Sequence, residues 1–235
     1  MNPFDQNILS FFNQFAQASY IFDFSVLLFS TNKLLKGGVL ILLFWWAWFK
    51  SSPNQSLGQR NLTATLIGCL IATLLARLLA FVLPFRDRPI YEAGLDFELP
   101  YGVSANNLES WSSFPSDHAV LFFTLSTGIF LVSRTVGTIA LIYTTVFIGL
   151  PRVYLGMHYP TDIIAGAFLG SVIAVLFNAS SIVTKTAEYV IKLLQTKPEI
   201  VYPVLIMVTY QIVDMFENSR IILTFIYKLS AALLS

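Results

Sequence analysis

The chain has 235 residues and a net charge of +1; 56% of it is hydrophobic and only 11% charged, against roughly 25% charged in an ordinary soluble domain. With a mean hydropathy of +0.70 and 21 phenylalanines, a soluble globule of this size has too little interior to hide its apolar surface. The same figures exclude disorder, collagen and a basic nucleic-acid-binding domain. The sequence therefore reads as an all-α, polytopic membrane helix bundle whose surroundings are the bilayer. Its single cysteine, Cys69, lies in an apolar run and permits no intrachain disulfide. The opening residues, Met1 to Asn7, lack a basic stretch followed by a short apolar core and a cleavage site, so the first membrane segment is expected to act as its own insertion signal.

In chain order, Gln6–Phe22, continuing to Thr31, carries Asn13, Gln14 and Gln17, which makes it either a first helix or an interfacial one. Gly37–Phe49 is short and apolar, with Trp45, Trp46 and Trp48 as an interfacial belt at one end. Leu62–Pro84 is long enough to cross, although Arg77 interrupts it, and Ala119–Ser133, Thr135–Leu150 and Ile163–Thr184 are three further spans. About six core spans are expected. The last apolar stretch, Ile200–Leu234, splits at Glu217–Arg220 into two segments, either a hairpin or surface-lying helices. This pattern divides the chain into a membrane-embedded domain, 1–184, and a C-terminal extension, 185–235.

Three loops separate the spans. Ser51–Asn61 is polar, Ile90–Phe114 is long and acidic, and Pro151–Thr161 is short and dense in polar and aromatic residues. If each of the four spans from Leu62 onward crosses once, the latter two loops share a side. Lys50, Arg60, Arg134, Lys185, Lys192 and Lys197 then collect on the other, which the positive-inside rule makes cytoplasmic. Lys33 and Lys36 fall on the outward side, against the rule.

The chemistry concentrates in the two outward loops. The sequence has two histidines: His118, in the run Ser112-Ser113-Phe114-Pro115-Ser116-Asp117-His118, and His158, in the run Arg152 to Asp162. Arg86, Asp87 and Arg88 close the Leu62–Pro84 span on the same face. Charge held at a membrane boundary is costly, so function is its default reading. Arginines are forked donors suited to phosphate oxygens. Asp162, four residues after His158, sits one helical turn away, where it can hold one ring nitrogen and leave the other to attack phosphorus. His118 can protonate a leaving oxygen, and Ser116 suits the N-cap of a helix whose first N–H groups meet an anion. The set is a phosphoryl-transfer site without metal, since no cysteine cluster or HExxH zinc signature appears. Against this stand blander roles: Arg86 and Arg88 as snorkelling anchors, Arg77 as the structural partner of a carboxylate, and Asp87 and Asp117 as solvated or salt-bridged.

These residues resemble the type-2 phosphatidic acid phosphatase superfamily. Its motifs are Lys-x6-Arg-Pro, Pro-Ser-Gly-His and Ser-Arg-x5-His-x3-Asp; here Arg88-Pro89, Pro115-Ser116-x-His118 and Arg152-x5-His158-x3-Asp162 match them, over about Leu62–Leu176. Phe81 stands where the first-motif lysine is expected, with Arg77 or Arg86 as candidates for the missing charge; Asp117 replaces the glycine and Pro151 the serine. The motif form is closest to bacterial undecaprenyl-diphosphate phosphatases. The resemblance implies His158 as nucleophile, His118 as acid and Asp162 as its orienter. It implies Arg88, Arg152 and Ser116 as phosphate binders, joined by Arg86 and Arg77. It further implies a lipid-linked phosphate or diphosphate as substrate, a phosphohistidine intermediate, no cofactor or metal, no nucleic-acid partner, and a site on the extracytoplasmic face of a bacterial plasma membrane. Phosphatidate or phosphatidylglycerol phosphate as substrate, phosphoryl transfer to another lipid, and a non-catalytic lipid-phosphate binder or transporter are the alternatives.

Overall fold

A computed structural model describes residues 1–92, 94–104 and 111–219, together with 221, 224 and 225. The second apolar segment expected at the C-terminus lies almost wholly outside the described residues. Those residues are helical, with no strand among them.

The N-terminal run breaks in two. Helix α1 (Pro3–Asn13) starts where the Asn2 side chain accepts from the Asp5 N–H. Its 11 residues are too few to cross a hydrocarbon core that needs about 20. The chain turns through Gln17 at a φ of 59°, and Ser19 caps α2 (Tyr20–Thr31). Asn32 then caps a new helix through the N–H groups of Leu34 and Leu35, so that α2 and the helix Leu34–Phe49 meet at 68°. That second helix opens with a wide π-helical turn, Leu34–Gly38, and continues as α3 (Val39–Phe49).

Helix α4 (Gln55–Val82) follows, then α5 (Asp117–Val132). Helices α6 (Arg134–Tyr143) and α7 (Leu150–Tyr154) run into one another through a π-helical stretch, Thr144–Gly149. Helices α8 (Pro160–Ala179), α9 (Ser181–Thr196) and α10 (Pro198–Asp214) follow. Gln55–Val82, Arg134–Tyr154 and Pro160–Ala179 are long and apolar enough to cross a membrane, and the bent pair Tyr20–Thr31 with Leu34–Phe49 makes a fourth; α5 is apolar but shorter.

Helix ends differ from the sequence reading in several places. Helix α4 begins at Gln55 rather than Leu62, because its hydrogen bonds continue into the polar interface after the apolar residues end. Helix α8 stops at Ala179 rather than Thr184, because Ser180 is extended and its side chain caps α9. Helix α10 packs into the bundle: Val201, Leu205 and Ile212 are buried in the same core as Leu40, Phe44 and Trp48 of α3. It runs beside α3 from Tyr202, stacked on Phe49, to Val213, whose Cα would lie 3.0 Å from a Cβ on Gly37.

At the centre is α5, buried along most of its length. It meets α8 so closely that a Cβ on Gly170 would lie 2.3 Å from the Val120 carbonyl oxygen, and one on Gly166 2.9 Å from that of Ser116. This crossing fixes the starts of both helices side by side. The segment between α4 and α5 and the short α7–α8 loop gather over them: Ser113 N–H donates to Arg86 O (2.8 Å), Ile90 N–H to Gly156 O (3.1 Å) and Ser116 N–H to Asp162 O (3.3 Å).

Candidate active site

At this end of the bundle is a cavity of about 220 Å³ lined by Ala76, Arg77, Ala80, Arg88, Trp111, Ser112, Pro115, Asp117, His118, Arg152 and His158. Both histidines thus open onto one space.

His158 sits in the loop between α7 and α8, almost wholly buried. Its Nδ1 is 2.8 Å from the Ser113 carbonyl oxygen, which can only accept, so Nδ1 carries the hydrogen. Nε2 is left with its lone pair, 3.4 Å from Arg88 Nη1. Burial is the main force that pulls this imidazole below the ordinary histidine range and the Arg88 charge adds to it, while Asp162 pulls the other way. The ring is therefore neutral near pH 7.

Asp162 does not meet the ring directly: its Oδ2 is 3.7 Å from His158 Nδ1. The same carboxylate accepts from the Ser113 hydroxyl and from Tyr159 N–H at 2.8 Å, so it secures both sides of the imidazole, the carbonyl-bearing residue and the loop. Its Oδ1 takes Arg86 Nη1 at 2.6 Å. Arg86 also reaches Asp5 of α1 at 2.8 Å and Thr161 at 3.0 Å, with its guanidinium 3.9 Å over the Tyr159 ring. Arg86 is not among the residues lining the cavity; it ties α1, the α4–α5 segment and α8 together behind His158.

His118 follows the helix start at Asp117. Its Nδ1 is 2.8 Å from Asp117 Oδ1, and its Nε2 is 2.6 Å from Arg152 Nη2 and 3.4 Å from Lys36 Nζ. Arginine has no acceptor, so Nε2 is the acceptor here and Nδ1 the donor. The Ser116 hydroxyl accepts from Ala119 N–H at 3.4 Å; it is fully buried and, like Arg86, does not line the cavity. Arg152 also donates to Ser30 O and to Met157 Sδ, but its buried Nε has no partner. Arg88 is held by the carbonyls of Met157 and Trp111. Arg77 faces the cavity 3.2 Å from Asp117 and 5.3 Å over the Trp111 ring. Phe81, at the expected lysine position, is 87% exposed.

The structure therefore brings Arg77, Arg88, His118, Arg152 and His158 onto one cavity and sets Asp162, Arg86 and Ser116 behind it. Sequence reasoning missed Lys36, Asp5, Ser113 and Trp111. Of these, Lys36 alone had left a signal, as a charge on the side where the positive-inside rule does not want one. Beside the cavity, and sharing Arg77, Ala80, Trp111 and Ser112 with it, lies a groove of about 390 Å³ completed by Phe81, Leu83 and Phe85. Among the described residues no cluster of three or more His, Cys, Asp or Glu is placed to hold a metal ion.

Fold and site together define a helical membrane protein with a cationic, histidine-flanked pocket at one end of its bundle. Residues 62–183 match the model of the PAP2 superfamily, and the chain belongs to that superfamily. Among curated proteins, it is 44% identical over 66 residues to the bacitracin transport permease protein BcrC of Bacillus licheniformis, covering 28% of this chain and 32% of that protein. It is 41% identical over 64 residues to an undecaprenyl-diphosphatase of Sulfolobus acidocaldarius (27% and 31%). To the putative undecaprenyl-diphosphatase YbjG of Escherichia coli it is 37% identical over 60 residues (26% and 30%). The matched stretch thus spans about a third of each relative's length. No solved structure matches the chain.

Proposed function

We propose that the protein is a membrane lipid phosphatase that removes the terminal phosphate of a lipid diphosphate, with undecaprenyl diphosphate the first choice, through a phosphohistidine. The observation that carries the reading is that both imidazoles line one cationic cavity with their Nδ1 atoms anchored, His158 to Ser113 O and His118 to Asp117. The names of two relatives support it, and so does the groove of Phe81, Leu83 and Phe85 next to the cavity, which suits an apolar tail.

In the reaction, the Nε2 lone pair of His158 attacks the terminal phosphorus, and the bond from phosphorus to the bridging oxygen breaks. The electron pair leaves on the lipid phosphate. Arg88 and Arg152 meet the equatorial oxygens, where phosphoryl transfer accumulates charge. A phosphate oxygen that accepts from Arg152 frees His118 Nε2 to bind a proton and give it to a poor leaving group. Water then attacks the phosphohistidine while His118 takes its proton; the P–N bond breaks and inorganic phosphate departs. Asp162 and Arg86 position His158 rather than touch the phosphate, and Ser116 serves through the helix start it caps. The basic residues at the opposite end of the bundle, Arg60 and Lys50 among them, support an extracytoplasmic site under the positive-inside rule.

The test is phosphate release by detergent-purified protein in EDTA, comparing undecaprenyl diphosphate with phosphatidate and using His158→Ala as control. Turnover that prefers the diphosphate and vanishes in the variant is the expected result, with an acid-labile phosphoprotein trapped on rapid quenching. Full activity in His158→Ala overturns the mechanism. Preference for phosphatidate moves the substrate to phospholipids, and stoichiometric binding without turnover favours a carrier or binder.

A further inference from the structure

Lys36 lies outside residues 62–183 and outside all three motifs, yet the fold delivers it to the site. The Asn32 cap turns the chain by 68°, and the π-helical turn that follows is pinned by Gly37, against which the Val213 backbone and the Phe122 ring press. Lys36 is thereby turned inward: it is only 9% exposed, and its Nζ lies 3.4 Å from His118 Nε2.

An ammonium can only donate, and the lone pair it faces already accepts from Arg152 at 2.6 Å. One of the two cations is surplus. The carboxylates of the neighbourhood are all engaged elsewhere: Asp117 with Arg77 and His118, Asp214 and Glu217 with Lys33, Asp5 and Asp162 with Arg86. None of the ion pairs among the described residues includes Lys36. A buried ammonium without an ion-pair partner is destabilising, and next to it the buried Nε of Arg152 lacks an acceptor. Lys36 is not among the residues lining the cavity; it stands behind His118 and Arg152, which do line it, and an anion that draws Arg152 away from His118 Nε2 brings its charge within reach of Lys36.

The alternatives for the missing first-motif cation fare worse. Phe81 is largely exposed and lines the neighbouring groove rather than the cavity. Arg86 is behind His158, held by two carboxylates. Arg77 does line the cavity, but Asp117 meets its charge.

We propose that Lys36 replaces the first-motif lysine, its ammonium and Arg152 Nε binding the oxygens of the incoming anion, and that the surplus of positive charge makes the cavity prefer a ligand with two linked phosphates to one with a single phosphate. The proposal rests on reading the cavity as a phosphate site. Lys36 acts beside His118 from an element that the family match does not include, so this cation comes from a different helix than the motif would place it on.

The experiment is calorimetric titration of the purified full-length protein with inorganic pyrophosphate and with orthophosphate, for wild type, Lys36→Met, Lys36→Arg and Arg77→Met, alongside their melting temperatures and turnover. Wild type is expected to bind pyrophosphate more tightly. Lys36→Met should weaken pyrophosphate by about tenfold or more, as loss of a charge-assisted contact does, and Lys36→Arg should retain most of the affinity. Without ligand, Lys36→Met should melt at the wild-type temperature or above it, because it removes an uncompensated buried charge. Unchanged pyrophosphate affinity in Lys36→Met overturns the proposal, as does a lower melting point in both Lys36 variants, which would make the residue a structural partner of His118. A larger loss in Arg77→Met than in Lys36→Met gives the role to Arg77. If wild type binds neither anion, the phosphate-site reading falls with it; normal turnover in Lys36→Met sinks this inference alone.

Discussion

Asp5→Ala tests whether a helix far from the cavity holds the site together. Asp5 is fully buried and accepts from Asn2 Nδ2 (2.9 Å), Arg86 Nη2 (2.8 Å), Thr161 N–H (2.9 Å) and Thr161 Oγ1 (2.7 Å). Breaking a buried ion pair from one side costs about 3–5 kcal/mol when the other charge is stranded. Arg86 is not stranded, because it keeps Asp162 at 2.6 Å and its side chain is 28% exposed. The lost bonds to Thr161 and Asn2 then dominate, and we expect a destabilisation of about 2–3 kcal/mol. Thermal unfolding followed by circular dichroism in detergent should show it as a drop of ~5–10 °C. Phosphate release should fall about tenfold, since Asp162 and through it His158 lose one fixed point while every direct contact of the histidines remains. Asp5→Asn, which retains an acceptor, should fall between the two.

Acid provides a second handle on the same residue. Burial pushes the Asp5 carboxyl up, but the bonds from Thr161 and Arg86 outweigh it and hold the group below 3.8. A lowered carboxyl stabilises the fold above its unfolded value and loses that contribution as pH falls through the folded one. The gap between wild type and Asp5→Ala should therefore narrow below pH 3.8. Wild-type melting and activity in Asp5→Ala would refute the linkage from α1 to His158.

Two further outcomes follow from the geometry. His158 is held below its ordinary value of 6.5, chiefly by burial, and must be neutral to attack; the acid limb of kcat/KM should lie below pH 6.5, with activity persisting as pH falls through that value, and a limb above 7 in a pH–rate profile would contradict it. Gly170→Ala puts a Cβ 2.3 Å from the Val120 carbonyl oxygen, a backbone atom that cannot swing aside; overpacking of this kind costs about 1–3 kcal/mol, and prying α5 from α8 should lower turnover with stability, whereas a neutral result in melting and activity would show that the crossing is looser than drawn.

The motif residues were legible because each depends on short spacing. Arg152, His158 and Asp162 lie within one loop and a helix start, and Pro115 to His118 within another, so local chain geometry brings each group to the same face. Helix ends were less legible, since apolarity marks the depth of the bilayer while hydrogen bonding runs on, as at Gln55–Asn61 of α4. The direct Asp162–His158 bond expected from i,i+4 spacing was also not found: His158 precedes the helix, outside the regular turn, and the Ser113 carbonyl from another segment takes its place. Ser113, Asp5 and Lys36 reach the site only through long-range packing, which no local pattern reports. Lys36, a misfit under the positive-inside rule, is buried beside His118.

The Arg86 hub also has a bearing on how the molecule is made. Thr161, which holds Asp5, is synthesised 156 residues after it. Until α8 has been made, Asp5 can meet Arg86 but lacks Thr161, and Arg86 lacks Asp162. Helix α1 thus locks fully only after α8 is in place, when both ends of this long sequence interval have met. A nascent or truncated chain lacking α8 carries Arg86 without Asp162 and Thr161, so this hub is completed in a single late step of biogenesis rather than growing helix by helix.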